Sequence, residues 1–198
     1  MSDRRGVKIL IMSDAHIHDR ADEVPKQFEE LIHSEKPFDI AVYGGDFTDE
    51  DVYRWFRSLA HTTYAVQGNM DYLDLPEHVT FMHPLSNIRF GVIHGHQVRP
   101  RGNIVQLTEI AKRMNVNILI SGHTHSPFIK IFNNVLHINP GSLTGAWGGG
   151  GGSGIPSMII LTLYENGVEV RHYELRRGKI SLNIYRFSYR GDMWSEVV

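Results

Sequence analysis

Five short apolar runs in this chain each lead into a side chain able to bind a metal ion, and that recurrence constrains the fold more than any other feature. Residues 7–12 lead into Ser13-Asp14-Ala15-His16, and 38–43 into Gly44-Gly45-Asp46. Residues 63–66 precede Gly68-Asn69-Met70-Asp71, 88–93 precede His94-Gly95-His96, and 118–120 precede Gly122-His123-Thr124-His125. In open α/β sheets, the loops at the carboxyl ends of strands meet in one crevice. Each Asp, Asn or His taken singly reads as a strand cap or a solvated side chain. Five in succession, all carboxylate, amide or imidazole, read as one convergent site. Glycine beside most of them lets the backbone turn sharply and approach closely.

The segments between these runs carry helical periodicity. Residues 24–34 place Phe28, Leu31 and Ile32 at helical spacing. Asp49-Glu50-Asp51 is an acidic start suited to a helix N-terminus, followed by Val52, Trp55, Phe56 and Leu59 on one face. A third helix is predicted over 104–114, and a further strand over 79–82. The later sequence reads as hairpins instead. Runs 128–132 and 135–138 flank Asn133-Asn134, and runs 157–164 and 168–175 flank Glu165-Asn166-Gly167. Another strand is predicted over 179–187. Strand–helix alternation followed by hairpins predicts an α/β fold of two packed mixed β-sheets, a β-sandwich flanked by helices, forming a single domain over 1–198. The glycine run 148–154 reads as a flexible surface linker in preference to an active-site lid. The tail 188–198 carries too little pattern for an assignment.

Composition removes several classes of function. The 198 residues contain no cysteine, which excludes disulfides, thiolate nucleophiles and cysteine-rich zinc sites. A formal net charge of −2 provides no global field for nucleic acid or anionic lipid. No stretch approaches the roughly 18 apolar residues of a membrane span, and the opening apolar run is shorter than the core of a secretion signal. The expectation is a cytoplasmic, soluble protein. Twelve histidines in a chain without cysteine point to imidazole as the metal-binding group.

Asp14, His16, Asp46, Asn69, His94, His123 and His125 are the candidate metal ligands. Carboxylate, amide oxygen and imidazole suit hard or borderline divalent cations. Two such ions roughly 3.5–4 Å apart can deliver an activated water to a phosphoryl centre and hold the attacking and leaving oxygens.

These blocks, Asp14-Ala15-His16, Gly45-Asp46, Gly68-Asn69, His94-Gly95-His96 and Gly122-His123-Thr124-His125, resemble the calcineurin-like metallophosphoesterase superfamily. With Ile138-Asn139-Pro140-Gly141-Ser142 they are similar to its small YfcE-like phosphodiesterases and to the retromer subunit Vps29. The resemblance covers about 7–175. It implies that Asp14, His16, Asp46 and His125 hold a first metal and that Asp46, Asn69, His94 and His123 hold a second, with Asp46 shared. It implies a small phosphoester substrate, most readily a phosphodiester, and two divalent ions, with manganese expected and iron, zinc, cobalt or nickel compatible. His96 is the candidate catalytic residue beside the metals, able to touch substrate or to act as an outer hydrogen bonder. Many relatives carry histidine directly after the Asn as the leaving-group acid. Met70 stands there and cannot donate a proton, which shifts that role to another acid such as His18 or His96, or to substrates with good leaving groups. Asp71 would then hold a water or stabilise a turn. Arg99 and Arg101 are weaker candidates for phosphate contact. The competing class is a Vps29-like interaction scaffold with a protein partner or a second copy of the chain. Retention of all seven ligand types favours catalysis.

Overall fold

A computed structural model describes residues 6–197. Fifteen elements follow one another: β1 (Val7–Met12), α1 (Lys26–Glu35), β2 (Phe38–Tyr43), α2 (Glu50–Arg57), β3 (Ala60–Ala65), β4 (His78–Met82), β5 (Arg89–Ile93), α3 (Ile104–Arg113), β6 (Ile118–Ile120), β7 (Phe128–Phe132), β8 (Val135–Asn139), β9 (Ser157–Tyr164), β10 (Gly167–Arg176), β11 (Lys179–Arg190) and β12 (Met193–Glu196). They build two mixed sheets, of seven strands in the order β12-β11-β10-β9-β1-β2-β3 and of five in the order β4-β5-β6-β8-β7. The two-sheet architecture expected from the sequence is the one observed.

β1 is apolar at every position except Lys8 because both of its faces are covered. Val7, Ile9 and Ile11 enter the core between the sheets, beside Ile40, Val92, Ile120 and Leu161. Leu10 and Met12 point the other way, against Phe28 and Ile32 of α1 and Phe56 of α2. α3 covers the outer face of the second sheet through Leu107 and Ala111, packed on Leu119 and Val135. The layers therefore run helix, sheet, sheet, helix. Among the described residues no helix is long and apolar enough to cross a membrane.

The helix starts follow from local chemistry. Asp49 caps α2 by accepting from the Asp51 amide at 2.6 Å, and Asn103 caps α3 by accepting from Val105 and Gln106 at 3.1 and 3.2 Å. α1 starts at Lys26, two residues later than its periodicity predicts, because Pro25 keeps Val24 out of helical geometry. The unassigned tail is a correction. Its first residues extend β11 to Arg190, and Tyr189 pairs with Trp194 across a turn into β12. Trp194 donates its indole N–H to the Asn117 carbonyl at 3.0 Å and packs on the inter-sheet core. An isolated tryptophan in a polar tail gave no periodicity to read.

β1, β2 and β3 are parallel neighbours, and so are β5, β6 and β8. Their carboxyl ends lie at one edge of the sandwich, and there the five ligand-bearing loops meet.

Candidate metal centre

Asp14, His16, Asp46 and His125 each offer a ligand atom within 4.8 Å of the others, and all four residues are buried. His16 Nε2 lies 3.2 Å from Asp46 Oδ2 and 3.2 Å from His125 Nε2, and His125 Nε2 lies 3.3 Å from Asp14 Oδ1. Next to this quartet, His94 Nε2 lies 3.3 Å from Asp46 Oδ2 and 3.1 Å from Asn69 Oδ1. The His123 ring stands 5.0 Å from the His94 ring, centroid to centroid. The fold thus brings all seven sequence-predicted ligands together around Asp46.

The donor set fits cations. His125 Nδ1 faces the Ala146 carbonyl and His94 Nδ1 faces the Gly44 carbonyl, each at 2.7 Å. A carbonyl only accepts, so each Nδ1 carries the proton and each Nε2 presents a lone pair to the cluster. Lone pairs and carboxylate oxygens then face one another, an arrangement that a cation or added protons must reconcile. Charge perturbation follows the same logic. Burial opposes ionisation of Asp46, but hydrogen bonds from His16 and His94 outweigh it and hold the carboxyl far below its usual range. Burial also opposes protonation of His94, yet the Asp46 hydrogen bond and the Asp14 and Asp46 charges raise it to about 9. His123 moves the other way, to about 4, through burial and the neighbouring His94 and Arg101 charges.

Backbone strain is concentrated here. Asp14, His16, Asp46, His123 and His125 all have φ between 47° and 65°, a region that costs side-chain-bearing residues energy and recurs at functional sites. The surroundings hold these conformations. Asp14 accepts from Ser13 Oγ at 2.6 Å and from the His123 amide, which ties the first ligand loop to the fifth. Tyr43 accepts from the Ala15 amide at 3.1 Å. Asn139 donates to the Gly122 carbonyl and to Thr124, and Ser142 donates to the Asp14 carbonyl at 2.7 Å. The Asn139-Pro140-Gly141-Ser142 turn is accordingly a support beneath the ligand loops.

Asp71 has a definite job that sequence left open. Its carboxylate accepts from the amides of Asp46 and Gly68 at 2.8 Å and of Thr48 at 3.0 Å, fastening the Asp46 and Asn69 loops together. A side chain at Gly68 would overlap the Asp46 carboxylate, so the residue before Asn69 must be glycine.

A cavity of about 630 Å³ opens beside the second group of ligands, lined by Asn69, His96, Val98, Arg99, Arg101 and His123 among others. His96 stands there with its ring 5.5 Å from His94, and burial together with the His94 charge lowers its pKa. His18, the other candidate acid, is exposed, lies 3.9 Å from Asp49 and lines no part of this cavity. The two arginines differ. Arg101 is engaged, donating to the carbonyls of Gly148 and His123. Arg99 sits exposed at the cavity wall. The glycine run is also more than the linker predicted from sequence, because Gly148 and Gly152 pack directly on His125. Composition alone cannot show what a glycine run lies against.

Two mixed sheets flanked by helices, with a histidine–carboxylate cluster at the strand ends, define a metal-binding hydrolase architecture. The calcineurin-like phosphoesterase superfamily domain matches residues 7–166, and the chain belongs to that family. A probable metallophosphoesterase from Methanocaldococcus jannaschii is 43% identical over 137 residues, which is 69% of this chain and 68% of that protein. Among solved structures, Vacuolar Protein Sorting 29 from Cryptosporidium parvum superposes with a TM-score of 0.87 at 28% identity, covering 93% of this chain and 99% of that one. Wild-type Vps29 from Entamoeba histolytica in complex with zinc superposes with a TM-score of 0.83 at 26% identity, covering 91% and 99%.

Proposed function

We propose that this chain acts as one domain, in the cytoplasm, as a phosphodiesterase that uses two divalent cations, with manganese as the working metal. The observation that carries the reading is the seven-residue cluster around Asp46 beside an open cavity of about 630 Å³. Asp14, His16, Asp46 and His125 would hold one cation, and Asp46, Asn69, His94 and His123 the other. When bound, such a pair supplies an activated water and offsets charge developing on the phosphoryl oxygens. The protein's own contribution is to fix those ligands, with Asp71, Ser13 and Asn139 bracing their loops. His96, lining the cavity, is in position to hydrogen-bond the ester or its departing oxygen. Met70 offers no proton, so esters with good leaving groups are the preferred substrates.

Metal-stripped protein, reloaded with Mn, Fe, Zn, Co or Ni and assayed on aryl phosphodiesters and monoesters, tests this. Faster turnover of diesters in one or more metals is expected. Folded, metal-loaded protein inert on every ester would sink the enzyme reading. The second reading, an interaction scaffold, is favoured by a specific feature. Ile180, Leu182 and Ile184 form an exposed apolar stripe on β11, 36–46% accessible, beyond the cover of the helices. The similarity to Vps29 agrees with that reading, and both roles can share one molecule because the stripe lies outside the metal cluster.

A further inference from the structure

Three successive carbonyls, those of Ala146, Trp147 and Gly148, are each held by a side chain from a different loop of the site. His125 Nδ1 donates to Ala146, Arg20 Nη1 donates to Trp147 at 2.9 Å, and Arg101 Nη1 donates to Gly148. Farther along, Ser153 donates to the His125 carbonyl through its amide at 3.0 Å and its hydroxyl at 3.1 Å. The segment therefore leaves His125, passes over it and returns to it. It also lies close on the ring. A Cβ at Gly148 would come 2.9 Å from His125 Cγ, and one at Gly152 would come 2.6 Å from His125 Cβ. Both are closer than carbon atoms tolerate, so only glycine permits this path.

The two arginines tie the segment to the rest of the cluster. Arg20 pairs with Asp19 at 3.0 Å, and Asp19 Oδ2 stands 3.5 Å from His16 Nδ1. Arg20 therefore joins the support of His16 to the segment over His125. Arg101 also donates to the His123 carbonyl, so it joins the second group of ligands to the same segment. Trp147, 71% exposed with the Arg20 guanidinium 5.9 Å from its ring, lies on the outside.

We propose that residues 146–153 form a strap that holds His125 against Asp14, His16 and Asp46 and governs how firmly a cation is held there, with Arg20 and Arg101 as positioning residues. The proposal rests on the metal-binding reading above. A ligand's orientation is set by what its other ring nitrogen and its backbone touch, and loss of such outer partners typically weakens metal binding about 10–100-fold. The glycine run supplies the thinness that lets the strap lie on imidazole, while the arginines supply the stiffness that polyglycine lacks.

The test uses full-length protein, stripped of metal and titrated with cobalt(II), with the visible spectrum, affinity, and release rate into excess chelator all recorded. Arg20→Gln, Arg101→Gln and Gly152→Ala are compared with wild type and with Arg186→Gln, whose partner Glu169 lies on β10. The strap role predicts release of one cobalt about 10–100-fold faster in the first three variants, with an altered spectrum. Arg186→Gln should match wild type, Arg101→Lys should recover part of the loss, and melting of the metal-free arginine variants should stay unchanged. Wild-type uptake of cobalt with unaltered affinity, spectrum and release in all three variants would overturn the strap. Lower melting temperatures with unaltered cobalt binding would do so too, by assigning the arginines to the fold. Wild-type protein that takes up no cobalt would remove the metal reading itself, a separate and recognisable failure.

Discussion

The two sides of the Asp46 carboxylate are built differently. On one side Asp14, His16 and His125 are at most 1% exposed, stacked beneath the glycine strap and fixed by Ser13, Ser142 and the Ala146 carbonyl. On the other, Asn69 and Arg99 are exposed and His96 and His123 half-buried around an open cavity. The closed side has the character of a holding site, with converging acceptors and low exposure. The open side has room for a substrate, although His94 within it is as buried as the closed side. On the two-cation proposal, such a division of labour would let one cation be retained while chemistry proceeds beside the other.

The most damaging break is expected at the shared residue. Asp46→Asn removes the negative charge common to both sides, and kcat/KM for an aryl phosphodiester should fall by about 10³-fold, with metal stoichiometry reduced. Steady-state kinetics and elemental analysis on the same samples check this. Activity equal to wild type would show that the catalytic centre lies elsewhere.

A smaller effect, and a gain, is expected on the open side. Met70→His places an imidazole directly after Asn69, which lines the cavity, so hydrolysis of diesters with poor leaving groups should rise, by up to about 10²-fold, more than hydrolysis of those with good ones. A series of aryl diesters of graded leaving-group acidity reads this out. An unchanged, flat dependence would mean that chemistry is not rate-limiting or that another acid already serves.

Asp71 lies at the seam, since its carboxylate holds the Asp46, Thr48 and Gly68 amides. Asp71→Asn leaves a poorer acceptor for those amides and should loosen both sides together. Metal affinity and kcat/KM should drop roughly 10-fold, at the lower end of outer-partner effects. Loss confined to one metal would show that the two sides are more independent than Asp71 suggests.

The smallest change in activity, essentially none, is expected outside both regions at His137. Its Nε2 donates to Thr108 Oγ1 at 2.9 Å, and burial lowers its pKa to about 4 from an ordinary value near 6.5. The unfolded chain therefore takes up a proton first as pH falls. This residue's contribution is complete above about pH 6.5 and is lost on descent towards pH 4, by about 3 kcal/mol in total. Denaturant melts of wild type and His137→Gln at pH 7 and pH 5 should show the stability gap between them narrowing at the lower pH. A constant gap would remove His137 from the acid response.

Much of the candidate site was legible in the sequence because the residues that gather there follow strands of unmistakable apolar character. Asp14, Asp46, Asn69, His94 and His123 could be read from their places after β1, β2, β3, β5 and β6. The braces were harder. Asp71 looked like a turn residue or a water holder, and only the distance to three amides assigns its role. Arg99 and Arg101 looked alike in sequence, two residues apart, and both line the cavity, yet Arg101 also donates to two carbonyls.

What the sequence by itself determined was the alternation of buried strands with amphipathic helices and the chemical types that end those strands. Both are local properties, written in periodicity over a few residues. Only the tertiary structure decided which side chains gather around Asp46, which loops are closed and what the glycine run lies against. Those facts depend on residues more than a hundred positions apart, such as Asp14 with His123 and Arg20 with Trp147. No local pattern encodes such pairs, because sheet order and layer packing bring them together. The same limit hid β12, whose Trp194 is held by Asn117, just before β6 of the other sheet.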